Sequence, residues 1–321
     1  MGTAILLKDL TKTFGETTAV SSVNLTVPDG ALYGVIGPNG AGKTTMIRMI
    51  LSIIFPDRGD LEVLGRPAAR EAKDRIGYLP EERGLYKRMR VGDFLVYMGR
   101  LKGLDGQDLR GQVQKWLERV ELSDCEHERC QELSKGMQQK VQFVAAVIHR
   151  PDLLILDEPF SGLDPVNQRQ MRDLVLDEHR RGATILFSTH IMTHAEQLCD
   201  HVVMIHRGRK VLDRSMADIR DTFDPHRILF EPLDTGTDIA TLRQVAGVVS
   251  VVPDGSAWDV ALDPGASAAD VIPRLVAAVT PSRVEIRRPT LEDVFVSIVR
   301  GGAAAAADDD ARLRAALRDA V

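Results

Sequence analysis

One glycine-rich stretch of this sequence combines the residue types that bind phosphate. It reads GPNGAGKT over Gly37–Thr44, between an apolar strand pattern and a helical pattern. Glycines let backbone N–H groups turn toward phosphate oxygens, the lysine brings positive charge to the β- and γ-phosphates, and the threonine hydroxyl can bind Mg²⁺. The expected nucleotide-binding residues are Gly37, Pro38, Asn39, Gly40, Ala41, Gly42, Lys43, Thr44 and Thr45.

Two adjacent carboxylates follow a buried strand pattern later in the chain. Asp157 and Glu158 come directly after the apolar run LLIL. One carboxylate here can hold Mg²⁺ opposite Thr44, and the other can act as a general base on water. Because successive strand residues face opposite ways, we assign the metal to Asp157 and the base to Glu158. Two merely solvated carboxylates would not explain the buried strand that precedes them.

A second stretch, ELSKGMQQK over 132–140, also has the character of an anion site. Ser134 and Gly136 lie just ahead of a run whose apolar residues recur at helical spacing. A serine there caps the helix, and a glycine lets another group approach the backbone. Helix starts of this kind attract anions. The sequence therefore predicts two separate phosphate sites.

Composition restricts the class of protein. The 321 residues carry a net charge of −5, with no basic tail, so no nucleic-acid partner is expected. The spacing Cys125-x-His127-x-x-Cys130 lacks a fourth ligand for zinc, and these cysteines are expected to be structural. The N-terminus lacks the features of a signal peptide, and the most apolar run, MIRMILSIIF, is too short to span a bilayer. Any membrane role must therefore come from a partner.

Strand and helix patterns alternate along most of the chain, which indicates an α/β fold with a parallel or mixed sheet. A helical subdomain is expected at about 91–150, within a first domain over 1–223. Residues 224–300 follow the order β-α-β-β-α-β of a small α+β, ferredoxin-like domain. Within it, Trp258 and a Pro-Asp-Gly turn are expected to serve packing and a hairpin. Residues 301–321 form a low-complexity tail, either frayed helix or disorder.

Five motifs in order resemble those of the ATP-binding subunits of ABC transporters, P-loop ATPases, from about Ile5 to Phe223. The motifs are Walker A at Gly37–Thr44, the signature LSKGM at Leu133–Met137, Walker B in LLILDEP, the D-loop SGLD at Ser161–Asp164 and the switch histidine in STH at Ser188–His190. The C-terminal stretch RPTLEDVFVSIV is similar to the appendage of the branch that serves export-type permeases.

The resemblance implies ATP and Mg²⁺ as ligands and a head-to-tail pair of ATPase domains with two ATP molecules between them. It implies that the signature residues contact the ATP on the partner's Walker A loop, and these are Ser134, Lys135, Gly136 and Met137. It also implies that His190 contacts the γ-phosphate and orients water, and that Asp164 links the two sites. Phe14 would stack on adenine, with a core phenylalanine as the alternative.

Two positions depart from the family's usual pattern. Lys135 and Met137 stand where a second glycine and a glutamine are common, which affects contact with the ribose. Glu81 stands where the family has the glutamine of its Q-loop, and we expect it to keep a metal-linked sensing role, so Thr44, Asp157 and Glu81 are the expected metal ligands. Glu82 is the other candidate for this place, and a solvated acidic pair is the alternative.

The resulting expectation is a motor subunit that hydrolyses ATP to drive a separate membrane permease, for export. A second copy of this chain is the favoured partner, and the complex would lie on the cytoplasmic, inner face of the membrane, through the permease. A soluble ABC ATPase acting on DNA or ribosomes is the main alternative, against which the single ATPase domain and the lack of basic excess argue. Intact Lys43, Asp157, Glu158 and His190 argue against a regulatory subunit that does not hydrolyse ATP. The C-terminal domain could stabilise a dimer, control ATP access or bind a ligand.

Overall fold

The computed structural model describes residues 2–67, 69–82, 84–106, 108–223, 226–234, 236–238 and 240–304. The chain forms two compact units, one ending at Met216 and the other beginning at Ala217. The tail predicted at 301–321 lies outside the described residues from 305 onward.

The first unit is built on a six-stranded sheet with the order β5-β6-β7-β3-β8-β9. The strands are β3 (Leu32–Ile36), β5 (Ile76–Leu79), β6 (Leu153–Asp157), β7 (Thr184–Thr189), β8 (His201–His206) and β9 (Arg209–Ser215). All neighbours are parallel except β8 and β9, which form an antiparallel hairpin. Every residue of β3, β6 and β7 is buried, as expected for parallel strands covered on both faces. The prediction of an α/β fold with a mixed sheet is confirmed.

A separate three-stranded antiparallel sheet, with the order β2-β1-β4, was not predicted in this form. It consists of β1 (Thr3–Phe14), β2 (Thr17–Pro28) and β4 (Arg58–Val63), of which only β4 was expected. Its apolar side chains, including Leu7, Leu10 and Leu25, share one core with helix α1 (Lys43–Ile50). This sheet therefore braces the helix that begins at the glycine-rich loop.

Helices fill the remainder of the first unit. They are α2 (Val91–Leu101), α3 (Asp108–Arg119), α4 (Lys135–Val147), α5 (Pro165–Arg180) and α6 (Met192–Leu198), with short 3₁₀ helices at Ala69–Arg75 and Ser123–Cys125. Helix α7 (Met216–Thr222) begins where the first unit ends. The first three of these helices lie in the helical subdomain that was expected at about 91–150.

The second unit has the ferredoxin-like order that the sequence predicted. Its elements are β10 (Arg227–Pro232), α8 (Ala240–Arg243), β11 (Val248–Asp254), β12 (Ala257–Leu262), α9 (Ala268–Ala278), β13 (Pro281–Arg287) and α10 (Leu291–Ala304). The antiparallel sheet has the order β11-β12-β10-β13, with Phe230 and Trp258 stacked across adjacent strands. Trp258 therefore serves packing, as expected, and the turn after Pro253 joins β11 to β12.

Two further sequence expectations concern metals and membranes. Among the described residues, no group of three or more histidine, cysteine, aspartate or glutamate side chains is arranged to hold a metal, and Cys125 and Cys130 are buried free thiols. Nor does any described helix combine the length and the apolar character needed to cross a membrane.

Candidate active site

Three neighbouring strands end at one edge of the main sheet and bring the predicted residues together. The glycine-rich loop follows β3, Asp157 ends β6, and His190 follows β7. In the sheet, β7 lies between β6 and β3 and is parallel to both. Carboxyl ends of parallel strands are the usual place for ligand sites in α/β proteins.

The loop after β3 requires glycine at two positions. Gly37 has a φ of 151° and Gly42 a φ of 109°. A Cβ at Gly37 would lie 2.1 Å from the carbonyl oxygen of Ile205, and one at Gly42 would lie 2.3 Å from that of Ala19. The backbone at Ile205 and Ala19 packs tightly against the loop and fixes its conformation. The loop's N–H groups therefore stay close to the start of α1.

Lys43 turns back over this loop. Its Nζ donates hydrogen bonds to the carbonyl oxygens of Gly37, at 2.8 Å, and Pro38, at 3.2 Å, and lies 3.7 Å from Oε1 of Glu158. Burial lowers the pKa of Lys43, while the negative charges of Glu158, Asp157 and Glu81 raise it. The Lys43 ammonium group donates to carbonyl oxygens of its own loop. When phosphate is present, it can donate to the phosphate oxygens instead.

Asp157 has the chemistry of a metal ligand. Its side chain is fully buried, Oδ1 accepts hydrogen bonds from Ser188 at 2.5 Å and Thr44 at 3.3 Å, and Oδ2 has no hydrogen-bond partner. Burial raises the pKa of Asp157, and the bonds from Ser188 and Thr44 work against this rise. A buried oxygen without a partner, next to a threonine hydroxyl, fits the hard oxygen ligands that Mg²⁺ prefers.

Glu158 and His190 form a pair beside this site. His190 Nδ1 lies 3.0 Å from Oε1 of Glu158, and the Glu158 side chain is buried. The sequence argument that strand alternation separates Glu158 from Asp157 was wrong, because β6 ends at Asp157 and Glu158 has a left-handed φ of 50°. The position of the Glu158 carboxylate therefore follows from this backbone turn and not from strand alternation. The backbone N–H of Glu158 is held by Ser188 through its Oγ at 3.2 Å.

The second predicted phosphate site begins helix α4. Ser134 caps this helix, and its Oγ accepts a hydrogen bond from the N–H of Met137 at 3.3 Å. Ser134 and Lys135 are exposed to solvent, and Gly136 and Met137 are partly exposed. None of the hydrogen bonds or ion pairs resolved among the described residues joins Ser134 to the loop at Gly37–Thr44. The serine cap thus faces outward rather than toward its own chain's glycine-rich loop.

Helix α5 begins close to this cap. Asp164 caps α5 by accepting hydrogen bonds from Val166 N and Asn167 N, both at 3.0 Å, and from Asn167 Nδ2. Hydrogen bonds from Asn167, with a smaller one from Val166, lower the pKa of Asp164. A Cβ at Gly136 would lie 2.9 Å from Nδ2 of Asn167. The first turns of α4 and α5 therefore touch.

Comparison with known proteins agrees with this geometry. Residues 20–161 match the family described as ABC transporter, and residues 215–299 match the C-terminal domain of DrrA1-3-like ATP-binding proteins. An uncharacterized ABC transporter ATP-binding protein of Bacillus subtilis, YhaQ, is 38% identical, covering 92% of this chain and 98% of that protein. The chain belongs to the ATP-binding proteins of ABC transporters. It is therefore an ATP-hydrolysing, nucleotide-binding subunit of a transporter.

Other relatives extend the comparison. The Nod factor export ATP-binding protein I of Burkholderia lata is 35% identical to this ABC ATPase, covering 74% of this chain and 78% of that protein. A solved structure of an ATP binding subunit of an ABC transporter is 31% identical, with a TM-score of 0.63, and covers 68% of this chain and 93% of that one. The predicted fold and family are confirmed.

Two predicted residues of this ABC ATPase lie at the periphery. Phe14 ends β1 and is 52% exposed, so it is not the core phenylalanine that was the alternative, and Lys12 Nζ lies 5.5 Å from its ring centroid. Glu81 follows β5 and is exposed, yet its charge acts on buried Lys43. Glu82 is exposed too, and its backbone oxygen accepts a hydrogen bond from Gln142 Nε2 at 3.3 Å.

Sequence reasoning gave no role to three residues that support the site. Ser188 lies opposite Asp157 in the register of β6 and β7 and bonds to both carboxylate residues. Gln139 and Gln142 are buried on α4 and donate to the carbonyl oxygens of Pro159 and Glu82, each at 3.3 Å. Two buried amides within an otherwise apolar helical face were the available signal for the glutamines.

Proposed function

We propose that this protein works as a head-to-tail pair that closes around two Mg²⁺–ATP complexes and drives a separate membrane permease, for export. A second copy of the same chain suffices, because one chain carries both halves of a composite site. The name of the Nod factor export relative supports the direction of transport. The pair would lie on the cytoplasmic face of the membrane, held there by the permease, and no nucleic acid partner is involved.

One observation carries this proposal: the convergence of Lys43, Glu158 and His190 at one end of the sheet. Glu158 Oε1 lies 3.0 Å from His190 Nδ1 and 3.7 Å from Lys43 Nζ. Together with buried Asp157 and Thr44, this convergence supports a phosphate position surrounded by a cation, a metal ligand pair, a base and an imidazole. Such an arrangement supports phosphoryl transfer to water.

Each residue has a distinct part in the proposed reaction. The backbone of Gly37–Thr45 and Lys43 hold the phosphates, and Thr44 and Asp157 hold Mg²⁺, which neutralises charge on the phosphates when bound. Glu158 accepts a proton from the attacking water, and His190, held by Glu158, orients that water and contacts the γ-phosphate. Glu81 joins the metal shell and reports its state to the permease, and Phe14 stacks on adenine.

The exposed cap of α4 serves the other subunit in this proposal. Ser134, Lys135, Gly136 and Met137 contact the γ-phosphate side of the partner's ATP, and Asp164 lies between the two sites. Residues 1–223 act as the ATPase domain, with about 91–150 as its helical subdomain. Residues 224–300 act as an accessory domain, followed by a tail over 301–321.

A Glu158→Gln variant tests the proposal. The amide cannot take the proton of water, so ATP turnover should fall by at least about a hundredfold, the contribution of general base catalysis. ATP binding should survive, and the variant should elute as a dimer in Mg²⁺–ATP and as a monomer without nucleotide. Turnover by coupled phosphate assay and mass by light scattering measure both.

Lys43→Ala is the matched control, since it removes phosphate binding and should stay monomeric with ATP. Undiminished turnover in Glu158→Gln would refute the role of Glu158. A monomer at saturating ATP would refute the pair.

A further inference from the structure

A cavity of about 300 Å³ lies behind the loops that carry the two catalytic side chains. Its walls come from the first half of α5 and from α6, with Phe160 from the loop after Glu158 at its apolar side. The polar residues around it are Gln168, Arg169, Arg172, His194 and Gln197. The proposed ATPase reaction uses none of them.

Two buried nitrogen atoms at this cavity lack hydrogen-bond partners. Arg172 Nε and His194 Nδ1 are buried atoms without hydrogen-bond partners. The side-chain oxygen of Gln197 already accepts from Arg172 Nη1 at 3.4 Å. Buried donors without partners are rare in native proteins and call for a ligand that accepts hydrogen bonds.

Basic side chains around the cavity also favour an anion. Arg169 makes no ion pair in the described part of the chain, whereas Arg172 is ion-paired with Asp173, whose Oδ1 lies 4.0 Å from Nε, too far for a hydrogen bond. One unpaired and one loosely paired guanidinium group thus lie beside one imidazole. Such a group suits a planar or tetrahedral oxyanion, which can accept several charge-assisted hydrogen bonds at once.

His194 connects the cavity to the reaction centre. Its ring packs edge-on against Phe160 at 4.9 Å between centroids, and the charges of both Glu158 and His190 act on it. Burial lowers the pKa of His194. In the tautomer that carries its proton at Nδ1, the neutral ring can donate from this unpartnered atom.

We propose that this cavity is a second anion site, separate from the glycine-rich loop, which binds a small oxyanion of the phosphate type through Arg169, Arg172 and His194. The site lies within one chain and does not depend on pairing. Inorganic phosphate is the natural probe, because its tetrahedral oxygens can accept from both arginines and from the imidazole together.

The full-length chain, loaded with Mg²⁺ and a non-hydrolysable ATP analogue that fills the glycine-rich loop, is titrated with phosphate by calorimetry. We expect one saturable site. Arg169→Gln/Arg172→Gln should weaken phosphate binding by at least about tenfold, the effect of losing one charge-assisted hydrogen bond. Arg180→Gln, on the same helix but ion-paired with Asp177, removes one positive charge outside the cavity and should leave binding unchanged.

A second pair of variants guards against loss of folding. His194→Asn keeps a side-chain donor and should bind phosphate, whereas His194→Phe keeps only the packing and should bind more weakly. Sulfate should compete with phosphate, whereas equal competition by acetate would assign the site to carboxylates and overturn the phosphate class. Absence of saturable binding, or equal binding in the double arginine variant, would overturn the site altogether.

The same titration in nucleotide-free Lys43→Ala separates this inference from the ATPase proposal. Phosphate binding there should persist, even if nucleotide binding is lost. Binding that disappears with Lys43 would assign the phosphate to the glycine-rich loop and overturn the second site.

Discussion

The carboxyl group of Asp157 is buried, which disfavours its ionised form. Burial raises its pKa, and hydrogen bonds from Ser188 and Thr44 oppose that rise only in part. The folded chain therefore holds this proton more tightly than the unfolded chain. Ionisation of Asp157 thus lowers the free energy of unfolding as the pH rises from roughly 4, the ordinary carboxyl value.

Asp157→Asn should accordingly stabilise the protein at pH 7 when Mg²⁺ and nucleotide are left out. The gain should shrink as the pH falls toward roughly 4, where the unfolded carboxyl also becomes protonated. Urea denaturation at several pH values measures this difference. With Mg²⁺–ATP added the order should reverse, because only the wild type gains the energy of metal binding. An Asn variant that is less stable at pH 7 without Mg²⁺ would contradict the assignment.

The glycine-rich loop offers a matched pair of substitutions. Gly42→Ala combines a φ of 109° with a Cβ 2.3 Å from the carbonyl oxygen of Ala19, so it should cost at least about 2 kcal/mol and abolish ATP binding. Gly40→Ala, with a φ of 75° and open space around its Cβ, should cost only about 1 kcal/mol. Urea denaturation and a fluorescent ATP analogue provide the measurements. Equal effects would show that backbone conformation, not the close contact, governs the loop.

At the scale of elements, a comparison of the serine caps of α4 and α9 distinguishes a stabilising role from a role in ATP turnover. Ser134 accepts from Met137 N, and Ser267 accepts from Ala269 N. Replacing either by alanine should cost about 1 kcal/mol, since each loses one capping hydrogen bond. Only Ser134→Ala should also reduce ATP turnover, because only that cap faces the partner's nucleotide in the proposed pair. A turnover loss of the same size in Ser267→Ala would reduce the role of Ser134 to stability.

In the first unit, sequence patterns predicted the fully buried parallel strands but missed β1 and β2. Strands β3, β6 and β7 are buried throughout and largely apolar, and helix α4 begins with a capping serine, so both signals were clear. Strands β1 and β2 alternate buried and exposed residues with several register shifts, which weakens a regular period. The left-handed turn at Glu158 carries no sequence signal either, since glutamate rarely adopts it.

At the scale of the whole molecule, the composite site predicts complementation between two inactive chains. Lys43→Ala keeps an intact serine cap, and Ser134→Ala keeps an intact phosphate loop. A mixed pair would contain one complete site, so an equimolar mixture should turn over ATP faster than either chain alone. A phosphate-release assay on the mixture and on each chain alone tests this. A mixture no more active than its components would contradict sites shared between chains.

Both units were recognisable from the sequence, for different reasons. The first unit contains nucleotide-binding motifs. Asp157, Glu158 and His190 lie together because they stand at the ends of β6 and β7, which finish at the same sheet edge. The second carries only patterning, which gave the order of its elements. Side-chain support such as Ser188 behind Asp157 depends on the register between strands, and that register requires the structure.

The contact between Gly136 and Asn167 has a mechanical consequence for a pair of such chains. Asn167 also donates a hydrogen bond to Asp164. The start of α4 and the Asp164 carboxylate therefore both contact the same side chain. In a pair of chains, hydrolysis at one nucleotide site would then affect the other site through these surface residues, without a rearrangement of either chain's core.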